Sequence, residues 1–277
     1  MAITAKEVNE LRKMTGAGMM DCKKALTEAD GDFDKAIDIL RTKGQKVSAS
    51  RADRHATEGV VFIKSNTEAT QSVLIALACE TDFVAKNAEF QTTGQKIVDI
   101  AFEQNPASIE DLLALKFDNI TIAERLTELI GKIGEKLEIG YYEKMSGEVV
   151  VPYIHAGSKL GVLVSLANAN GTDVTAAGKD VAMQIAAMRP VAVSKDAVDQ
   201  ATIDHELLIG REQALAEGKP EKIIDKIAQG KLNKFFQEST LLAQKFVKDN
   251  GITVEQYLDG VQKGLTVIDF KRIAISG

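Results

Sequence analysis

Three histidines, His55, His155 and His205, are the side chains of this sequence best suited to proton transfer or metal binding near neutral pH. None sits in a pattern that would do either. His205-Glu206 opens like a zinc-protease helix, but the second imidazole belongs four residues after the first, on the same helical face, and Ile209 stands there. Gly16-Ala17-Gly18 resembles the start of a dinucleotide loop, yet no strand pattern precedes it and position 21 is Asp rather than Gly. Gly171 to Lys179 has the flavour of a phosphate loop, but the spacing to Gly178 is two residues too long. Asp180 also occupies the place of the magnesium-holding hydroxyl. Cys22 and Cys79 form no CxxC pair and have no histidine nearby in sequence, which argues against structural zinc and for a reducing compartment. The chemistry therefore points to a binding protein, not an enzyme, with no cofactor and no metal.

The remaining candidates are residues that bind by surface. Aromatics make up only 5% of the chain and Trp is absent, so an aromatic in an unexpected place carries information. Asp82-Phe83 follows an apolar run that ends near Ala78 and opens a helical stretch, which places it at the edge of a structural unit. Two readings fit: Phe83 projects as a wedge toward a partner, or Asp82 caps its own helix and Phe83 enters the local core. Thr81 competes for the capping role. Met19-Met20 lies in a glycine-flanked loop, and methionine is adaptable at binding surfaces. The alternative is that Met20 is core in a small bundle, with Met19 the more exposed of the two. Cys22 reads as core.

The elements that must position these residues can be read from periodicity. Thr4 with Glu7 has capping-box spacing, and Val8 and Leu11 share a face behind it. A second helix runs from Met20 to Ala29. A third, capped by Asp32, carries Phe33, Ala36, Ile37 and Leu40 inward and ends at Gly44. Residues 1–45 are thus expected to form a three-helix bundle, with 46–58 a polar, partly helical linker. A strand, turn, strand, helix pattern then occurs twice. Gly59–Ile63 and Val73–Ala78 precede a helix with Ile97, Val98 and Ile100. Val149–Ile154 and Gly161–Leu166 precede a helix with Val181, Met183 and Ile185. Closing strands are expected at Lys136–Tyr142 and Gly264–Ile275. The expected fold class is α+β: a small three-helix domain, then a duplicated core with antiparallel sheets in lobes 59–145 and 146–277. An antiparallel helical hairpin, about 196–246, is inserted in the second lobe. Ile203, Leu207 and Leu215 form one apolar stripe of it, and Ile223, Ile224, Ile227, Leu232 and Phe235 the other, with Gly218-Lys219-Pro220 between the helices.

Two segments carry a family resemblance. Thr15-Gly16-Ala17-Gly18-Met19-Met20-Asp21-Cys22-Lys23-Lys24-Ala25-Leu26 and Thr81-Asp82-Phe83-Val84-Ala85-Lys86-Asn87 resemble the signature segments of the elongation factor Ts family, in order and at the right distance from the start. The resemblance covers the whole chain and implies an N-terminal domain of ubiquitin-associated type. It implies guanine-nucleotide exchange on the GTPase elongation factor Tu, by binding it and disturbing its magnesium and phosphate site. It implies partner contacts at Thr81, Asp82, Phe83 and Val84, with Phe83 as the wedge, and at Arg12, Met19 and Met20. Ile133 and Gly134 match a helix end that meets the GTPase, where Gly134 is equally well a plain C-cap. His155, in Tyr153-x-His155, matches a contact to another domain of the partner, although the loop after it is one residue longer here. The sequence ends at Gly277, soon after the last strand, where some family members carry a further helix. The contacts are then expected from the core and the N-terminal bundle.

A net charge of −6, from 34 Lys plus Arg against 40 Asp plus Glu, disfavours general nucleic-acid binding. A basic stretch along Lys43, Lys46, Arg51 and Arg54 reads either as a local patch or as a solvated face. With no signal core, transit peptide or membrane-length apolar run, a cytoplasmic protein is expected. The rival readings are a docking module that binds without releasing nucleotide, an enzyme with an unfamiliar cleft, and a nucleic-acid chaperone. A homodimer through the hairpin is a further possibility.

Overall fold

Thr4 starts the first helix as its spacing asks. Its side chain accepts a hydrogen bond from the Glu7 amide at 3.3 Å, while the Glu7 carboxylate accepts from the Thr4 amide at 2.7 Å. In this computed structural model, which describes residues 3–275, helix α1 (Ala5–Thr15) ends at Gly16 in the left-handed conformation. Met1, Ala2, Ser276 and Gly277, the ends of the expected 1–45 and 146–277 segments, lie outside the described residues. Helix α2 (Met19–Glu28) and helix α3 (Phe33–Ser50), capped by Asp32, complete the bundle. Val8, Leu11, Cys22, Ala25, Leu26 and Ala36 form its core.

Gly44 does not end α3. The helix continues to Ser50, so the expected linker begins as helix. Gly44 is buried because α3 crosses a later helix, Ile122–Ile133, at this point, and the loss of helix propensity at a glycine is outweighed by the close approach it permits.

The first lobe follows: β1 (Glu58–Ser65), β2 (Gln71–Cys79), α4 (Asp82–Ala85), α5 (Ala88–Gln104), α6 (Ile109–Ala114), β3 (Lys116–Phe117), β4 (Ile120–Thr121), α7 (Ile122–Ile133) and β5 (Leu137–Ser146). The second comprises β6 (Val149–Ile154), β7 (Leu160–Ala167), α8 (Thr175–Met188), α9 (Gln200–Ala216), α10 (Glu221–Ser239), β8 (Lys245–Phe246), β9 (Asp249–Thr253), α11 (Val254–Val261) and β10 (Thr266–Ala274). The sheets are antiparallel, in the orders β1-β2-β5 and β10-β7-β6, so the second strand of each lobe is central. β5 runs four residues beyond its expected end, pairing along the whole of β2. No helix among the described residues is long and apolar enough to cross a membrane.

The two sheets pack face to face. Val61, Leu74, Ala76 and Ala78 from the first meet Val150, Leu163 and Ile273 from the second. The opposite faces are covered by helices. Val60, Phe62, Val73, Ile75 and Leu77 lie in one core with residues of α5 and α7, and Val151, Val162, Val164 and Leu166 in another with residues of α8 and α11. Burial on both faces is why Val73–Ala78 is a continuous apolar run and not an alternating one.

The hairpin α9–α10 follows its expected stripes in part. Ile224 and Leu232 are buried, but Leu215 and Ile223 are exposed, and Gly210 meets Ala228 at the crossing, with Ala214 buried as well. Small residues decide the contact because they let the two backbones approach. Residues after Ser239 leave the hairpin, and Leu241 and Phe246 join the second lobe's core.

At the sheet interface, a Cβ on Gly161 would stand 2.5 Å from Val61 Cγ1 and 2.8 Å from Leu74 Cδ1. Gly161→Val should therefore destabilise the protein by about 1–3 kcal/mol, the usual cost of overpacking. A lowered midpoint in urea denaturation is the expected result; an unchanged midpoint would mean that the sheets do not pack this closely.

Candidate partner-binding edge

The Thr81–Val84 turn is built by two carboxylates that reach across it in opposite directions. Glu135, just after α7, accepts from the Thr81 amide at 3.0 Å and from the Thr81 hydroxyl at 2.7 Å. Glu80, just after β2, accepts from the Lys136 amide at 2.7 Å, and both of its carboxylate oxygens accept from Arg51 Nη1 at 3.0 Å. The pair of glutamates thus clasps the end of β2 to the start of β5. The Lys136 amide hydrogen bond, with Arg51 and Arg54 nearby, holds the Glu80 carboxyl below the usual carboxylate range.

Within this clasp Thr81, not Asp82, is the helix cap: its hydroxyl faces the Val84 amide at 3.5 Å. Asp82 instead pairs with Lys86 at 2.6 Å, an interaction that lowers the Asp82 pKa and raises that of Lys86. Val84 packs on the first lobe's core, and Phe83 is 81% exposed. The core reading of Phe83 is thereby overturned, since its neighbours Val84 and Ala85 fill the inward positions. Below the turn, Cys79 is buried and donates to the Thr81 carbonyl at 3.1 Å. Burial, with the nearby Glu135 and Glu58 charges, pushes its thiol up to about 12, so it stays protonated and inert at neutral pH.

Ile133 and Gly134 arrive on the same edge. Ile133 packs on the first lobe's core, and Gly134 ends α7 with φ 82°, one residue before Glu135. A Cβ on Gly134 would meet nothing within 4 Å, so its conformation, not crowding, calls for glycine.

The N-terminal loop joins this edge through Lys132. Its ammonium lies against Gly16 on one side and pairs with Glu89, in the first turn of α5, on the other. Met19 and Met20, three and four residues after Gly16, are 53% and 62% exposed. The core reading of Met20 is overturned, because Cys22, Ala25 and Leu26 supply the inward face of α2. Arg12 is exposed near the end of α1.

His155 comes from the other lobe. The β6–β7 turn rests on the first sheet, where the Val61 amide donates to the Ser158 carbonyl at 2.7 Å and Lys159 pairs with Glu58 at 2.5 Å. Glu58 stands opposite Cys79 in the β1–β2 register, which places the turn beside the start of the Thr81 segment. His155 itself is exposed, with Nδ1 2.9 Å from the Tyr153 hydroxyl. Of the ten residues singled out from the sequence, Thr81–Val84, Ile133 and Gly134 are thus tied together through Glu135, Met19 and Met20 follow the Gly16 loop that Lys132 touches, His155 lies on the turn that rests on β1, and Arg12 is exposed on α1. Glu80, Glu135, Lys132 and Glu89, which organise these contacts, were missed. Their partners are 43 to 56 residues away or on another element, and no local pattern marks such pairs. Met14, also exposed, was missed too; three methionines within residues 14–20 were its signal.

Two outcomes follow for stability. Phe83→Ala should leave the denaturation midpoint within about 0.5 kcal/mol of the parent, as for surface positions generally; a larger loss would return the ring to the core. Because the Glu80 pKa is lowered by folding, its contribution is complete above the ordinary glutamate range and is lost as pH falls through the folded value. Glu80→Gln should thus weaken the protein at neutral pH and shrink that difference below about pH 4, as measured by melting temperature against pH.

Comparison with known proteins places this edge in context. A family model described as Elongation factor TS matches residues 80–276, beginning at the clasp glutamate Glu80. A protein of Amoebophilus asiaticus named elongation factor Ts is 58% identical over 275 residues, covering 99% of each chain. One of Cytophaga hutchinsonii with the same name is 56% identical over 275 residues, again covering 99% of each. One of Chlorobaculum tepidum is 45% identical over 267 residues, covering 94% of this chain and 93% of its own. With a matching family model over most of its length and full-length relatives at this identity, the chain belongs to the elongation factor Ts family of translation elongation factors.

Proposed function

We propose that this protein is a guanine-nucleotide exchange factor for the GTPase elongation factor Tu, and that it acts in the cytoplasm without chemistry of its own. The observation that carries this reading is Phe83: an aromatic ring held 81% exposed by a turn that two glutamates clasp. Burying such a ring in a partner supplies about 1.5–3 kcal/mol, and the free protein leaves that term unused. A rigid turn loses little conformational freedom on binding, so more of the contact energy is available to distort the partner.

The proposed mechanism is competition between two ligands for one GTPase. Phe83 enters the partner beside its magnesium and phosphate contacts, with Asp82 and Val84 shaping the base of the wedge and Thr81 fixing its direction. Arg12, Met19 and Met20 hold the nucleotide domain, Ile133 and Gly134 abut it, and His155 reaches a second domain. Coupling is reciprocal: by whatever factor the exchange factor weakens nucleotide, nucleotide weakens the exchange factor. Incoming GTP then drives the factor off. No proton transfer or covalent step is required, in keeping with a site made of an exposed ring, methionines and satisfied ion pairs.

The test is release of a fluorescent GDP analogue from purified elongation factor Tu. Addition of this protein should accelerate release, and Phe83→Ala should cut kcat/KM for exchange about 30-fold or more, the effect of losing an anchor worth about 2 kcal/mol. Acceleration that survived Phe83→Ala unchanged would remove the wedge, and no acceleration by the folded parent would leave a docking role.

A further inference from the structure

The two patches that the proposed function assigns to the GTPase belong to different parts of the chain, Phe83 to the first lobe and Met19-Met20 to the N-terminal bundle. Their separation is set by how the bundle sits on α7. The crossing of α3 on α7 is a backbone contact. A Cβ on Gly131 would stand 2.7 Å from Gly44 Cα, and a Cβ on Gly44 would stand 3.0 Å from the Thr127 carbonyl oxygen. Neither helix can slide or rotate much here without one backbone striking the other, so the crossing is a fixed point.

A ladder of charges runs from that point to both patches. Arg41 on α3 pairs with Glu128 on α7 at 3.1 Å. Glu128 lies 3.6 Å from Arg125, and Arg125 pairs with Glu89 at 2.9 Å. Glu89 pairs with Lys132, whose ammonium lies against Gly16. Gly16 closes α1 in the left-handed conformation and leads directly into Met19-Met20. Glu89 lies in the first turn of α5, which follows the short helix that carries Phe83 after two residues. Lys132 is thus the one side chain in this ladder that touches the α1–α2 connection leading to Met19-Met20 and is paired to the helix that follows the Phe83 turn. Partly exposed ion pairs of this kind add little stability each; what a connected set of them does is select one orientation.

We propose that Lys132 is a positioning residue that, with the Gly44–Gly131 crossing, locks the N-terminal bundle in one pose, so that the methionine patch and Phe83 meet the GTPase as a single preorganised surface. This rests on the exchange reading above. Two patches held at the right separation bind with a high effective concentration of the second once the first is engaged. A loose bundle forfeits that advantage without altering either patch. The effect should appear in the concentration of factor needed, not in the rate reached at saturation.

The experiment uses the full chain with nitroxide labels on Glu28→Cys and Glu103→Cys, both exposed helical positions on the bundle and the first lobe. Pulsed electron resonance should give one narrow distance for the parent and a broadened distribution for Lys132→Met and for Gly131→Leu, with Lys132→Arg close to the parent. In nucleotide release, Lys132→Met should raise the half-saturating factor concentration about tenfold or more, within the range that linkage of two sites provides, and leave the maximal rate unchanged. Lys132→Arg should recover most of the loss. If Gly131→Leu fails to fold, as judged by circular dichroism, the Lys132 pair of variants still decides. A broad distance distribution in the parent, or a Lys132→Met variant with loosened distances and unaltered half-saturation, would overturn the proposal. A parent protein that released no nucleotide would sink the exchange reading and the positioning role with it, while the distances alone would still report whether the bundle is locked.

Discussion

The contact between the two sheets organises the molecule. Each lobe has a three-stranded sheet with an apolar face that helices do not cover, and these two faces cover one another through Val61, Leu74, Val150, Leu163 and Ile273. Apolar burial drives the association, but its closeness depends on Gly161, which lets Val61 and Leu74 approach the β7 backbone. Because the sheets meet this way, the β6–β7 turn comes to rest on β1, the Ser158 carbonyl accepts from Val61, and Lys159 reaches Glu58. His155 is carried toward the start of the Thr81 segment by packing at its own end of the hairpin, where Gly161 stands opposite Ile154.

On that base the Thr81 turn is held by charge and hydrogen bonding more than by apolar contact. Glu80 and Glu135 each receive a backbone amide from the other's segment, so the turn between β2 and α4 is tied to the turn between α7 and β5. Charge-assisted hydrogen bonds to backbone amides are directional, and they hold a turn whose Phe83 ring is exposed. Exposing Phe83 breaks the rule that large apolar side chains are covered, and such local violations are where function is expected. The exposed Met14, Met19 and Met20 break the same rule at the end of α1 and the start of α2.

Much of this was legible from the sequence where the signal is local. The Thr4–Glu7 capping box, the Asp32 cap, the two strand-turn-strand-helix units and the paired helices about Gly218 all depend on residues within a few positions of one another. A second repeat was present and went unread. Lys116-Phe117 with Asp118-Asn119-Ile120-Thr121, and Lys245-Phe246 with Asp249-Asn250-Gly251-Ile252-Thr253, each form a small two-stranded ladder followed by a helix with a capping box. It was missed because strands of two residues have no measurable alternation, so only matching residue types could reveal it. Gly44 misled for a different reason. A glycine after an apolar run is the ordinary sign of a helix end, and only the partner helix shows that this one serves a crossing.

What the sequence by itself determined was the three N-terminal helices, the long strands and helices of the duplicated plan, the helical hairpin and, through two signature segments, the family. Those follow from local propensity, periodicity and residue order, all of which survive in a one-dimensional reading. Only the tertiary structure decided that Phe83 points outward, that Thr81 caps the turn in place of Asp82, that Met20 is as open as Met19, and that small residues close the hairpin. These depend on what occupies the alternative place: Glu135, 54 residues on, takes the Thr81 amide and hydroxyl, Val84 packs inward on the first lobe's core, and Ala228 on the facing helix meets Gly210. A side chain's direction is a competition among neighbours, and for these residues the deciding neighbours are brought near only by the fold.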